Sequence, residues 1–452
     1  MTDVNQKTSS EYVLDTSREY SIYVCESRSI PKVADGLKDG QRKMLWVMRN
    51  RADKIKTVAL SGEVIALGLY LHGDMSASET ISMMCAPYCN NVPLLNGIGT
   101  FGTRVAPTGW AAARYTYCKK GKATQELILS DLPIIPLKEN YDGSTQEPVN
   151  FLPLIPMVLL NGVSGIAVGW STEILPRSLK DIIESTILAL DDKKFKRLTP
   201  AYDYLTCKVN HLIDNTWEFT GQVEILDTST VCIKELPPDL TLEKFKERLN
   251  VMEDENLISG YTDRSTKTIN ITVKIPRITL KDKTEIDLID FFKLKQKKTE
   301  RIVVIGWNGK SIMQYQSAEL LIEDFVKWRL EWFTKRYQKM LDDDSYELRF
   351  WKAMKACFDG DLPKNLSKKQ NRQEIEQEVT KLTVKINLDG KQMDKIVSVP
   401  TYRWALDEYN NVLKKIKDLE ESIEIYKNIL SDPEKIRSIY REELINLKKL
   451  KF

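Results

Sequence analysis

Gly97, Gly99 and Gly102 spell G-x-G-x-x-G, a spacing that cradles a dinucleotide pyrophosphate when it follows a strand and opens a helix. Here it runs into the loop residues Thr103 to Gly109, so nucleotide binding is not expected of it. A second glycine-rich run, from Gly162 to Gly169, lacks the Lys-Ser or Lys-Thr that ends a phosphate-cradling ATP loop. Nothing in the chain is expected to hydrolyse ATP. Metal chemistry is poorly supplied as well. The seven cysteines (Cys25, Cys85, Cys89, Cys118, Cys207, Cys232, Cys357) are scattered and never spaced C-x-x-C, and there are only two histidines, His72 and His211. The acidic run Asp342-Asp343-Asp344 falls on a predicted long helix and reads as a solvated face or helix end. Between Arg28 and Lys56, nine Lys or Arg face three Asp. That excess is either the footprint of a polyanion or a solvated basic helix face.

Such residues must be positioned by more than one core, because 452 residues predict two to four domains. A hydrophobic content of 42% with 29% charged residues describes a folded protein, and the net charge of +3 decides little. No apolar run reaches the ~18 residues of a membrane span, and the polar start Met1 to Ser10 lacks a signal-peptide core. A cytoplasmic protein is expected. Residues 1–27 read as a lead-in helix with Tyr12, Leu14, Tyr20, Ile22, Tyr23 and Val24 as its apolar members. From 28 to 125, short helices broken by Gly and Pro have the layout of a helix-turn-helix or winged-helix domain. Residues 126–315 are α+β, with strand-like runs at Val209–Ile213, Val223–Leu226, Val231–Ile233, Ile269–Ile275 and Arg301–Ile305. A long helix follows to about Lys355, ended by Gly360 and Pro363. Tyr409, Val412, Ile416, Leu419, Ile423, Tyr426 and Leu430 then step 3, 4, 3, 4, 3, 4, the seam of a coiled coil. The expected architecture is multidomain α+β, with segments 316–355 and 401–452 paired as a long antiparallel coiled coil and 356–400 a small globule at its tip.

Five stretches, in order, resemble the breakage-reunion core of type IIA DNA topoisomerases: R-S-I-P-K-V-A-D-G-L-K-D-G-Q-R-K (28–43), Y-L-H-G-D (70–74), N-G-I-G-T-F-G-T-R (96–104), A-A-A-R-Y (111–115) and N-G-V-S-G-I-A-V-G-W-S-T (161–172). With the helical end, the resemblance spans about residues 15–450. It implies a winged-helix cleavage domain, an α+β tower or shoulder domain, and a globule that meets its mate in a homodimer. Within the family the layout is most like the medium subunits of T-even-type bacteriophage enzymes.

The resemblance makes Tyr115 the nucleophile that attacks a backbone phosphorus and leaves a 5′-phosphotyrosyl bond; nearby Tyr117 does not follow an Arg. A free tyrosine, with pKa ~10, is ionised only to about one part in a thousand at neutral pH, so cations must assist. Arg114 matches the arginine that stabilises the scissile phosphate, and Arg28 one that reaches the same phosphate. His72 matches a histidine near this centre, but many relatives carry two there, whereas Leu71 precedes this one. His72 either hydrogen-bonds the phosphate or caps a turn. Lys38, Arg42 and Lys43 fall on the family's phosphate-gripping helix. Asp39 stands where relatives usually have proline, and is expected to soften that turn. Ile166 matches an isoleucine that wedges between base pairs and bends the duplex.

No Toprim pattern is found, so the family's Mg²⁺ site and its ATP site are expected on a partner Toprim/ATPase subunit. The chain stops soon after the helical end, which leaves no room for a DNA-wrapping domain; relaxation and decatenation without negative supercoiling are expected. Two other classes remain: a non-catalytic DNA-binding architectural protein, and a sequence-specific winged-helix regulator whose binding follows operator sequence.

Overall fold

The computed structural model describes residues 8–107, 109–366 and 371–450; the first seven residues of the expected lead-in helix, residues 367–370 of the expected globule and the last two residues lie outside them. The chain is mixed α+β and divides into two units, one of residues up to Arg329 together with those from Glu443, the other Leu330–Glu442.

In the first unit, helix α1 (Ser9–Val24) begins on a capping box: Thr8 Oγ1 accepts from Glu11 N–H at 3.3 Å, and the Glu11 carboxylate accepts from Thr8 N–H at 2.9 Å. None of its residues is buried. A single π-helical turn, Cys25–Ser29, follows. Helix α2 (Asp39–Met48) buries Met44, Leu45, Val47 and Met48, and Gln41 Oε1 accepts from Lys38 N–H at 3.0 Å at its start. Helix α3 (Thr57–Ala66) buries Leu60 and Val64, and helix α4 (Asp74–Cys85) buries Ala77, Ile81, Met84 and Cys85, each at the three- and four-residue steps of one helical face. Beside them lies a small antiparallel sheet of order β1-β3-β2, formed by β1 (Ile55–Lys56), β2 (Leu95–Ile98) and β3 (Tyr117–Lys120), with Cys118 opposite both Ile55 and Gly97.

Further along, strands Gln222–Asp227, Thr230–Glu235, Ile271–Lys274 and Gly260–Asp263 form a four-stranded antiparallel sheet. Phe245, Leu249 and Met252 of the helix Leu242–Asp254 share a core with its Val231, Ile233, Ile271 and Val273. A second sheet joins Lys208–His211, Thr216–Thr220 and Lys295–Thr299. The strand runs read from the sequence thus lie where β-structure forms, with boundaries moved by a few residues.

In the second unit, ring and ion contacts pair rising numbers on the helix Ala318–Asp359 with falling numbers on the two helices near the end of the chain. Phe333 meets Tyr440, Tyr337 meets Tyr426, Lys352 Nζ lies 2.7 Å from Glu420, and Tyr409 OH donates to Asp359 at 2.9 Å. The heptad positions Val412, Ile416 and Ile423 are buried. Val412 and Ile416 pack with Phe350, Ala353, Met354 and Cys357, and with Val379 and Ile396 from the short helices Arg372–Leu382 and Gly390–Val397. The expected single segment 401–452 is two helices, Leu406–Leu430 and Pro433–Lys449. Pro433 has no N–H to continue the first helix and opens the second, where Asp432 accepts from Glu434 N–H at 3.0 Å.

Candidate active site

Tyr115 sits on a loop fastened to the start of α3. Thr57 N–H donates to Thr116 O at 3.0 Å and Val58 N–H to Ala113 O at 3.2 Å, while the buried Thr116 hydroxyl meets that of Thr57 at 2.8 Å. The buried threonine holds the backbone and leaves the next side chain in solvent: Tyr115 is 67% exposed. The Arg114 guanidinium lies over its ring, 4.7 Å from the centroid. A phenolic hydroxyl and a cation are thereby presented together on a hydrogen-bonded loop.

Arg28 and His72 meet at a second place. The π-helical turn closes with Ile30 N–H on Cys25 O at 3.1 Å, and Arg28 Nη2 approaches His72 Nδ1 to 2.9 Å. A guanidinium can only donate, so Nδ1 is the acceptor and the ring is neutral with its proton on Nε2. Burial, and then the Arg28 charge, push the His72 pKa below its usual value, in agreement with that assignment. Nε2 lies 3.2 Å from Tyr23 OH, and Tyr70 packs edge-on with ring centroids 5.3 Å apart. The N-cap of α4 is Gly73 rather than His72.

The three cations expected on the phosphate-gripping helix have different surroundings. Lys38 Nζ donates to Ser164 O at 2.8 Å, and Lys43 bridges Asp39 at 2.9 Å and Glu147 at 3.3 Å. Arg42 is 1% exposed, donating from Nε at 2.7 Å and Nη2 at 2.9 Å to the two oxygens of buried Asp35. Burial disfavours its charge, but the Asp35 carboxylate more than offsets this and raises the pKa. The expectation that Arg42 grips phosphate is therefore corrected: the guanidinium is a buried buttress. Arg42→Ala is expected to cost about 3–5 kcal/mol, because it strands a buried carboxylate. Urea denaturation should show a lower midpoint, and an unchanged midpoint refutes the assignment. Asp39 does not soften its turn either. It occupies the first turn of α2, where a carboxylate suits the helix dipole, and it binds Arg42 and Lys43.

Ile166 is 84% exposed, near the tip of a hairpin that pairs Val163–Ile166 with Ser171–Ile174. The hairpin is tied down along its length: Ser29 Oγ donates to Ile166 O at 2.7 Å, Glu173 N–H to Arg301 O at 3.0 Å, and Leu175 N–H to Glu300 at 2.9 Å. Gly165 is required here, since a Cβ would stand 2.1 Å from Ser29 O. The apolar tip is thus anchored beside Arg28. Ile166→Ala is expected to keep DNA affinity within severalfold but to reduce the bend, read as a longer end-to-end distance in a fluorescently labelled duplex. An unchanged bend refutes the wedge.

A polar cleft of about 870 Å³ runs from Arg28, Lys38 and His72 to Tyr202 and Lys298. Lys298 Nζ lies 3.1 Å from both Glu173 and Asp239; burial opposes its charge, yet its anionic neighbours raise its pKa. Burial pushes Tyr202 up to about 12. Sequence reasoning missed Tyr23, Tyr202 and Lys298. In the run K-Q-K-K-T the only available signal was strand alternation, which cannot say which lysine faces inward.

Tyr115 and Arg114 do not line this cleft. The tyrosine loop is bonded to the first residues of α3, whereas Leu69 and Tyr70, leading to His72, are bonded to Val64 near its end. Thr57 and Val64, the two points of attachment, lie seven residues apart on α3, about 10 Å of helix rise. The structure brings Arg28, His72 and Lys38 together and holds Tyr115 with Arg114 apart from them.

The glycine motif at 97–102 is closely packed. A Cβ at Gly97 would meet the Phe101 ring at 2.5 Å, and Arg104, at the end of the stretch, donates to Leu236 O and Pro237 O at 3.1 Å each.

Residues 28–445 match the family of DNA gyrase/topoisomerase IV A-type subunits. The chain is similar to the DNA topoisomerase medium subunit of Enterobacteria phage T4, with 29% identity over 422 residues that cover 90% of this chain and 92% of that protein. It is also similar to DNA topoisomerase 2-alpha of Homo sapiens, with 31% identity over 327 residues and 70% of this chain, although the match spans only 21% of that relative. Its fold matches the crystal structure of the Plasmodium falciparum topoisomerase II DNA-binding, cleavage and re-ligation domain, with a TM-score of 0.85 and 26% identity, over 97% of this chain and 64% of that one.

Proposed function

Because the chain belongs to the family of DNA gyrase/topoisomerase IV A-type subunits, which cleave and rejoin DNA in type IIA topoisomerases, we propose that Tyr115 breaks and reseals one DNA strand in each of two copies. The phenolic oxygen bonds to phosphorus as the bond to the neighbouring 3′ oxygen breaks. The phenol loses a proton, the 3′ oxygen gains one, and the strand ends as a 5′-phosphotyrosine. One phosphoester replaces another, so the reverse step reseals the strand without outside energy. Arg114 and Arg28 stabilise the charge gathered on the pentacovalent phosphorus, and His72 holds Arg28. The observation that carries this reading is the exposed Tyr115 with a guanidinium on its ring, held by a buried neighbour.

The fastening of the Tyr115 loop to the start of α3, outside the cleft that Arg28 and His72 line, favours a site shared between two copies, in which the tyrosine of one serves the cleft of the other. Residues 28–125 form the winged-helix domain in this reading, 126–315 the tower, 316–355 with 401–452 the coiled coil, and 356–400 the globule that meets its mate. Among the described residues no group of three or more His, Cys, Asp or Glu could hold a metal ion, so no step is assigned to a metal held here. The Mg²⁺ of the reaction and the ATP site belong to a Toprim/ATPase partner. The uncovered apolar residues Tyr12, Leu14, Tyr20 and Ile22 of α1 suit such a partner. Among the described residues no helix is long and apolar enough to cross a membrane, and a cytoplasmic site of action is part of the proposal.

The test mixes the chain with Toprim/ATPase subunits, Mg²⁺ and supercoiled plasmid, and stops the reaction with detergent. Protein covalently joined to 5′ DNA ends is expected, with relaxation and decatenation when ATP is present. Breaks without attached protein overturn the reading.

A further inference from the structure

We propose that Tyr23 is a positioning residue for the Arg28–His72 pair, its hydroxyl fixing which way the imidazole faces. The inference rests on the proposed role of Arg28 and His72 in cleavage. Tyr23, one residue before the end of α1, brings its hydroxyl to 3.2 Å from His72 Nε2. His72 Nδ1 accepts from Arg28 at 2.9 Å, which leaves the proton on Nε2 and makes the Tyr23 oxygen its acceptor. The two contacts hold opposite sides of one ring. A half-turn about the ring bond would replace Nδ1 by a carbon facing Arg28 and Nε2 by a carbon facing Tyr23, so each hydrogen bond opposes the flip. Tyr70 contacts the ring edge-on without a hydrogen bond to either nitrogen and fixes its plane, not its facing. Tyr23 therefore keeps the lone pair of Nδ1 on Arg28, and the guanidinium keeps its aim into the cleft.

Removing only the hydroxyl leaves α1 and the ring contacts intact, because Tyr23 is 42% exposed and its ring already borders solvent. A neutral hydrogen bond is worth roughly a factor of five in such an equilibrium. In the complex reconstituted with its Toprim/ATPase partner and Mg²⁺, Tyr23→Phe is expected to slow single-turnover cleavage about fivefold with unchanged DNA affinity. In a His72→Ala background the same change should add nothing, since Tyr23 acts through His72. The chain has only two histidines, so ¹⁵N-histidine spectra, assigned with His211→Gln, resolve His72 directly. Its Nδ1 signal should carry the Arg28 hydrogen bond and weaken in Tyr23→Phe.

Cleavage by Tyr23→Phe at the wild-type rate overturns the proposal, as does an equal loss with and without His72, or an unchanged His72 spectrum. His72→Ala cleaving at the wild-type rate overturns instead the site reading on which the proposal rests. A slow His72→Ala beside a normal Tyr23→Phe removes this proposal alone.

Discussion

Tyr115→Phe is expected to bind duplex DNA as tightly as the unaltered chain and to lose covalent cleavage by at least about four orders of magnitude, the scale on which removing a nucleophile acts. The change deletes one oxygen. It leaves the ring beneath Arg114, and the exposed side chain contributes little to the core. Thr116, whose buried hydroxyl fastens the loop to Thr57, is untouched. DNA affinity by fluorescence anisotropy and 5′-linked protein by detergent trapping, measured on one preparation, separate the two effects. An architectural DNA-binding protein would keep all of its activity in this variant, and a sequence-specific regulator would show binding governed by operator sequence. Persistent covalent complex in Tyr115→Phe would remove Tyr115 from the mechanism and turn attention to Tyr117, which borders the same loop on β3.

What could be read in advance was whatever local pattern determines. The heptad steps placed a buried seam on Val412, Ile416 and Ile423, and the motif around Ile166 marked a residue that the structure leaves bare on a hairpin. Charges were harder. Arg42 looks like its neighbours Lys38 and Lys43 in a basic run, yet its partner Asp35 lies seven residues back, beyond the reach of a helical i,i+4 pair. Only the tertiary fold, in which Phe151 N–H also donates to Asp35 at 3.0 Å, makes that pair a buried one. Tyr23 was legible as an apolar member of a lead-in helix; its hydroxyl gains a role only when α1 and the segment before α4 meet, a contact between residues 49 positions apart. The break at Ser431–Asp432 is a different kind of miss. Its signal, Asp before Pro, was present in the sequence but was outweighed by a helical pattern on both sides.

The proposed sharing of a site between two copies yields the second large effect, because it changes which pairs of mutations are tolerated. Consider dimers isolated with two different tags, carrying Tyr115→Phe and Arg28→Ala either on the same copy or on opposite copies. In a shared site the tyrosine of one copy works with the arginine of the other. Placing the mutations on opposite copies puts both defects in one site and leaves the other whole, so nicked plasmid with one covalent link should accumulate at about half the normal rate per dimer. Placing both on one copy spoils each site once, and cleavage should fall by roughly 10²–10³, the range for losing one charge-stabilising donor. A site confined to one copy predicts the reverse order. The attachment of the Tyr115 loop at the start of α3, outside the cleft that Arg28 and His72 line, is what favours sharing. Greater activity in the dimer with both mutations on one copy would return the reacting groups to a single chain.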